Sequence, residues 1–138
     1  MKRLLLLISA LILTSSFAAA GSYNFISPEN LKLSLEKREN LLLLDIQVEK
    51  EYSQHHLKSA VATYAYPVKS DSDRDKLKPV LTRIKADQVP VVVICPRGGG
   101  GAKRAYDFLV ENGVDVQRLK ILEGGQQKWP FPELLAER

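Results

Sequence analysis

The chain has 138 residues, a formal net charge of +4 and one cysteine. That length holds one ordinary domain rather than two, and a single cysteine excludes an intramolecular disulfide framework. No Lys/Arg block and no interleaving of basic and aromatic residues accompanies the positive charge, so nucleic acid is not an expected partner.

The first segment reads as a secretory signal. Lys2-Arg3 opens it, an apolar run from Leu4 to Leu13 follows, and Ala18-Ala19-Ala20 precedes Gly21. The expected division is a cleavable signal over 1–20 and a domain over 21–138, giving a periplasmic or secreted protein free of the membrane after cleavage. The apolar run falls short of the roughly 20 residues of a transmembrane helix, and an uncleaved N-terminal anchor is the alternative. Loss of Lys2 and Arg3 would halve the net charge, leaving a mildly basic surface.

Ser27-Pro28-Glu29 is a helix start, with a capping serine and proline in the first turn. The helix is expected to run to about Arg38. Leu41 to Ile46 is an apolar run containing Asp45 near its end, read as a buried strand. A short polar helix is expected over Val48 to Gln54 and a strand over Ala60 to Tyr64. Ser70-Asp71-Ser72-Asp73 caps a helical region that Pro79 should kink or divide. Val89 to Ile94 is expected as the central strand and Ala102 to Asn112 as a helix stopped by Gly113. Leu119 to Leu122 is a further strand. A short helix follows through Trp129, a core residue, and Phe131 and Leu134 tie the tail to the core. Strands alternating with helices indicate an α/β domain with a largely parallel sheet.

The chemistry centres on Cys95. It ends the run Val91-Val92-Val93-Ile94 and precedes Pro96-Arg97-Gly98-Gly99-Gly100-Gly101 and a helix. The thiol therefore sits between a strand's carboxyl end and a helix's amino end, where loop amides and the helix dipole hold anions. Glycine permits positive φ and close approach of backbone to ligand, and consecutive N–H groups cradle negative charge. Pro96 donates nothing, so the donors must come from Arg97 onward. Two plainer readings stand beside this one: an inert core cysteine and a flexible glycine linker. The nucleotide-binding patterns fail because Lys103 lies between Ala102 and Arg104, with no Gly-Lys-Ser/Thr ending. His55 and His56 with one distant cysteine make no metal-ligand pattern, so no metal and no cofactor are expected. Pairing of Cys95 with a histidine base depends on spatial proximity.

Four segments resemble the single-domain rhodanese (sulfurtransferase) family. They are Leu43-Leu44-Asp45-Ile46-Gln47, Glu51 to Ala60, Cys95 to Gly101 with its following helix, and Leu122-Glu123-Gly124-Gly125 with Trp129. The resemblance implies a rhodanese-like α/β fold, a central mainly parallel sheet with helices on both faces. It implies that Cys95 takes sulfane sulfur from a small sulfur-containing anion, thiosulfate or polysulfide, as a persulfide. A thiol acceptor, such as a protein thiol, would then remove it. The binding loop would be Arg97, Gly98, Gly99, Gly100, Gly101 and Ala102, supported by Asp45, Lys103 and Arg104. Arg97 is the expected contact to the anionic donor. Asp45 is expected to order the loops by accepting hydrogen bonds, and His56 to be structural. The chain departs from the family pattern at Gly100, where an arginine often stands, at Gln47 in place of arginine, and at His55 in place of glycine. A non-catalytic rhodanese-like binding module is the alternative. A cysteine phosphatase or arsenate reductase would need an arginine where Gly100 and Gly101 stand.

Overall fold

The computed structural model describes residues 22–137. The expected signal over 1–20 lies outside them. Five strands form one sheet: β1 (Phe25–Ile26), β2 (Leu42–Asp45), β3 (Val61–Ala62), β4 (Val91–Ile94) and β5 (Leu119–Leu122). Their order is β1-β5-β4-β2-β3, and every pair is parallel. Five α-helices connect them: α1 (Pro28–Glu36), α2 (Glu49–Gln54), α3 (Asp71–Asp75), α4 (Lys78–Asp87) and α5 (Gly100–Glu111). Among the described residues, no helix is long and apolar enough to cross a membrane.

Alternation along the strands divides the core into two layers. Leu42, Leu44, Val91, Val93, Leu119 and Ile121 face α4 and α5, meeting Val80, Ile84, Ala105 and Leu109. Leu43, Val92, Ile94 and Leu122 face the other way, toward Leu31 of α1, Leu57 and Trp129. Both faces are thus covered, which explains why β2 and β4 are apolar at nearly every position. Each fully buried Leu or Ile contributes about 1.5–3 kcal/mol relative to exposure.

Local chemistry sets the boundaries. Ser27 Oγ accepts the Asn30 N–H at 3.2 Å and starts α1. Ser70 and Asp73 form a reciprocal capping box on α3. Pro79 stands in the first turn of α4, where its missing N–H costs no helical bond, so the region is two helices. Gly113, at φ +92°, closes α5 as expected.

Several boundaries differ from expectation. The helix after Cys95 begins at Gly100 rather than Ala102, so two of the four glycines are helical. The strand expected over 60–64 is only Val61–Ala62, because Ser59 and Tyr64 both have positive φ. The segment before Trp129 is a 3-10 turn, Gln126–Lys128. Strand β1 was not expected; two residues, one of them 42% exposed, leave no periodicity to read. Trp129 is buried, with Phe131 and Leu134 packed on its cluster, as expected.

Candidate active site

Cys95 directly follows β4 and continues its alternation, so its side chain lies on the α5 face with Val91 and Val93. It is 2% exposed and unpaired with any other cysteine. The Gly98 N–H donates to its Sγ at 2.9 Å. Gly98 has φ +72°, and a Cβ there would lie 2.9 Å from the Leu122 carbonyl oxygen and the Gly124 nitrogen. Only glycine turns this amide back onto the sulfur without strain. A backbone donor aimed at Sγ stabilises negative charge there, and it cannot act as a competing nucleophile.

The loop rests on the turn after β5. The Cys95 carbonyl accepts the Gln126 N–H at 2.8 Å, and the Pro96 carbonyl accepts the Gln127 N–H at 3.0 Å. Gly125, at φ +65°, fits beneath it. A Cβ at Gly125 would lie 2.4 Å from the Cys95 oxygen and 2.6 Å from the nitrogens of Arg97 and Gly98. All three atoms are backbone, so nothing there yields.

A cavity of about 120 Å³ opens over the thiol, lined by Tyr66, Cys95, Arg97, Gly99, Gly100, Gly101 and Arg104. Its charged lining is two guanidinium groups and no carboxylate. Gly100 and Gly101 open α5, and the first amides of a helix have no intrahelical partner. Arg97 is exposed and its Nη2 donates to the Tyr66 hydroxyl at 3.3 Å. Arg104 is half-buried and its Nε donates to the Pro67 carbonyl at 2.9 Å. Neither arginine forms an ion pair among the described residues. The combination suits a small anion bound against a sulfur atom.

The other expected residues lie elsewhere. Ala102 is buried in the core layer beneath α5. Lys103 points outward, with Nζ 5.5 Å from the centroid of the Tyr23 ring, and does not line the cavity. Asp45 pairs in register with Ile94, not with Cys95, which places its side chain on the opposite face of the sheet. There it accepts the Gln47 N–H at 2.8 Å and Gln47 Nε2 at 3.0 Å. Gln47 Nε2 also donates to the His55 carbonyl at 3.0 Å. Asp45 is thereby linked through Gln47 to the backbone at His55. Burial pushes its carboxyl up from 3.8 to about 6, against the lowering effect of the Gln47 hydrogen bonds. His56 stacks on Tyr52 with ring centroids 3.8 Å apart, and its Nδ1 lies 2.6 Å from the Tyr52 carbonyl oxygen, a structural placement.

Two residues escaped the sequence reading. Tyr66 packs its ring against Gly101, where a Cβ would come within 2.8 Å of it, and holds Arg97 by its hydroxyl. Gln126 is 1% exposed; besides holding the Cys95 carbonyl through its backbone, its Nε2 lies 2.9 Å from His55 Nδ1. The Tyr66-Pro67 pair was a visible turn signal, but nothing in the sequence says that its turn faces Cys95. Among the described residues, no group of histidines, cysteines and carboxylates could hold a metal ion.

Comparison with known proteins agrees with this geometry. A rhodanese-related protein from Thermoplasma volcanium superposes with a TM-score of 0.60 at 20% identity, covering 83% of this chain and 98% of that one. A rhodanese-like domain protein from Staphylococcus aureus gives a TM-score of 0.62 at 20% identity, with 83% and 98% covered. A Saccharomyces cerevisiae protein, described as a homologue of single-domain rhodanese and of the Cdc25 phosphatase catalytic domain, gives 0.60 at 20%, with 78% and 79% covered. At these identities the likeness is one of fold. No curated protein matches the sequence. Residues 27–130 match the Rhodanese-like domain, most of the described chain. With that match, an all-parallel sheet and a cysteine cradled between β4 and α5, the chain belongs to the rhodanese-like domain family.

Proposed function

We propose that this protein is an exported sulfurtransferase that carries sulfane sulfur on Cys95. The observation that carries the reading is the Gly98 N–H directed at Cys95 Sγ beneath a cavity whose only charged lining is cationic. In the first half-reaction the Cys95 thiolate attacks the outer sulfur of thiosulfate. An S–S bond forms to Cys95, and the bond to the sulfonate sulfur breaks, its electron pair leaving with sulfite. A polysulfide donor leaves instead as a polysulfide shorter by one sulfur. In the second half-reaction a thiolate acceptor, or cyanide in an assay, attacks the outer sulfur and releases the Cys95 thiolate. Two covalent half-reactions make the kinetics ping-pong. The loop amides hold the terminal sulfur's charge between them. The N-terminal pattern supports export before this chemistry.

Intact mass after incubation with thiosulfate, and separately with polysulfide, tests the proposal. The expected result is a gain of one sulfur atom, removed by cyanide and absent from Cys95→Ser. The burial of Cys95 favours a second reading, a non-catalytic binding module. That reading wins if neither donor leaves an adduct while the thiol still alkylates. Mass of protein recovered from an exporting host, with or without residues 1–20, tests the export.

A further inference from the structure

Gly100 lacks a side chain, and another residue occupies the space. A Cβ built on Gly100 would lie 2.8 Å from Nη1 of Arg104, 3.4 Å from Nη2 and 3.5 Å from Cζ. The guanidinium of Arg104 therefore reaches back along one turn of α5 and lies over the Gly100 backbone, at the cavity above Cys95. Its Nε is held by the Pro67 carbonyl at 2.9 Å, which fixes the plane of the group. The remaining N–H donors have no carboxylate partner among the described residues. Arg97 differs: it is exposed and held only by a 3.3 Å contact with the Tyr66 hydroxyl. A half-buried, pre-oriented guanidinium recognises an oxyanion with less ordering cost than an exposed one.

We infer that Arg104 is the specificity residue for the anionic donor at Cys95, and that glycine at 100 is what admits its guanidinium. The inference rests on the sulfur-carrier reading for the identity of the donor, but not for the preference of the cavity for anions. Arg104 and Gly100 act as one unit: a side chain at 100 displaces the arginine, and loss of the arginine leaves the cavity short of its fixed charge.

Alkylation of Cys95 separates these readings. Iodoacetate and iodoacetamide are similar in size and differ in charge. The rate ratio, iodoacetate over iodoacetamide, is expected to fall about tenfold in Arg104→Gln and to recover partly in Arg104→Lys. It is expected to fall several-fold in Gly100→Ala, roughly as far as loss of a charge-assisted bond allows, although no charge is removed. An unchanged ratio in Arg104→Gln and Gly100→Ala, with normal iodoacetamide rates, overturns the inference. So does a fall of the full size in Arg97→Gln alone. A loss of iodoacetamide reactivity in Arg104→Gln, at an unchanged ratio, also overturns it, because the arginine would then only hold the loop open. Thiosulfate adducts are read in parallel. A shifted ratio without any persulfide on the wild type sustains anion selection and rejects the sulfur-donor reading. Persulfide formation with an unshifted ratio does the reverse.

Discussion

Two polar regions lie at the carboxyl ends of neighbouring strands β2 and β4, on opposite faces of the sheet. On the α5 face, Cys95 meets a backbone amide, and two guanidinium groups line the cavity above it, with no carboxylate. On the other face, Asp45 is wholly buried, and its carboxyl accepts hydrogen bonds from the backbone and side-chain amides of Gln47. Both regions place an acidic side chain at a strand end, and their surroundings differ. The first presents fixed donors and cations to a cavity that an anion can enter. The second encloses a carboxyl group so completely that burial outweighs two hydrogen bonds. One side chain borders an open cavity, and the other is closed off within a hydrogen-bond network. Gly98 and Gly125, where the cysteine loop meets the turn after β5, have no room for a side chain.

Cys95→Ser should break the comparison most completely. Persulfide formation and sulfur transfer are expected to vanish, with the thermal transition nearly unchanged, as read by mass and by calorimetry. Gly125→Ala comes next. Its Cβ would collide with three backbone atoms at a residue of positive φ, so a loss of at least about 2 kcal/mol is expected, together with most of the transfer activity. Chemical denaturation beside a thiosulfate assay reads both.

Asp45→Asn tests the buried side. The folded carboxyl holds its proton up to about 6, the unfolded one only to about 3.8. Between these values the folded state binds more protons, so this group's contribution to stability is present below about 3.8 and is lost as pH rises through 6. The loss amounts to about 3 kcal/mol at most. The difference in unfolding free energy between wild type and Asp45→Asn, measured from pH 4 to 7, should carry that slope. A flat difference would show that the carboxyl is not raised. Arg97→Gln should lower kcat/KM for thiosulfate by only about threefold, since an exposed cation is screened by solvent. Gly99→Ala should do least. No atom stands within 4 Å of a Cβ there, so activity should be unchanged and the unfolding free energy should stay within about 0.5 kcal/mol of wild type. A large effect at Gly99 would mean that the bound ligand, not the folded chain, demands that glycine.

Much of this organisation was legible along the chain. The runs Leu41 to Ile46 and Val89 to Ile94 are apolar because helices cover both faces of the sheet, and the caps at Ser27 and Ser70 mark their helices directly. Strand β1 was not legible, because two residues at an edge satisfy any pattern. The extent of the glycine loop was not legible either, for a different reason. Glycine is a poor helix former, yet Gly100 and Gly101 enter α5, where Tyr66 packs directly on Gly101 and Arg104 fills the space over Gly100.

By itself the sequence determined the alternation of strands and helices, the placing of Cys95 between a strand and a helix, and the need for glycine beside it. Those are properties of neighbours in the chain, set by periodicity and allowed φ. Tertiary structure decided which charges reach the thiol. Parallel register put Asp45 beside Ile94 and thus on the far face, and the turn at Tyr66-Pro67 carried a hydroxyl and a carbonyl to Arg97 and Arg104. Lys103 and Arg104 are adjacent in the chain, but the helix turns them about 100° apart, so one lies over Tyr23 and the other lines the cavity.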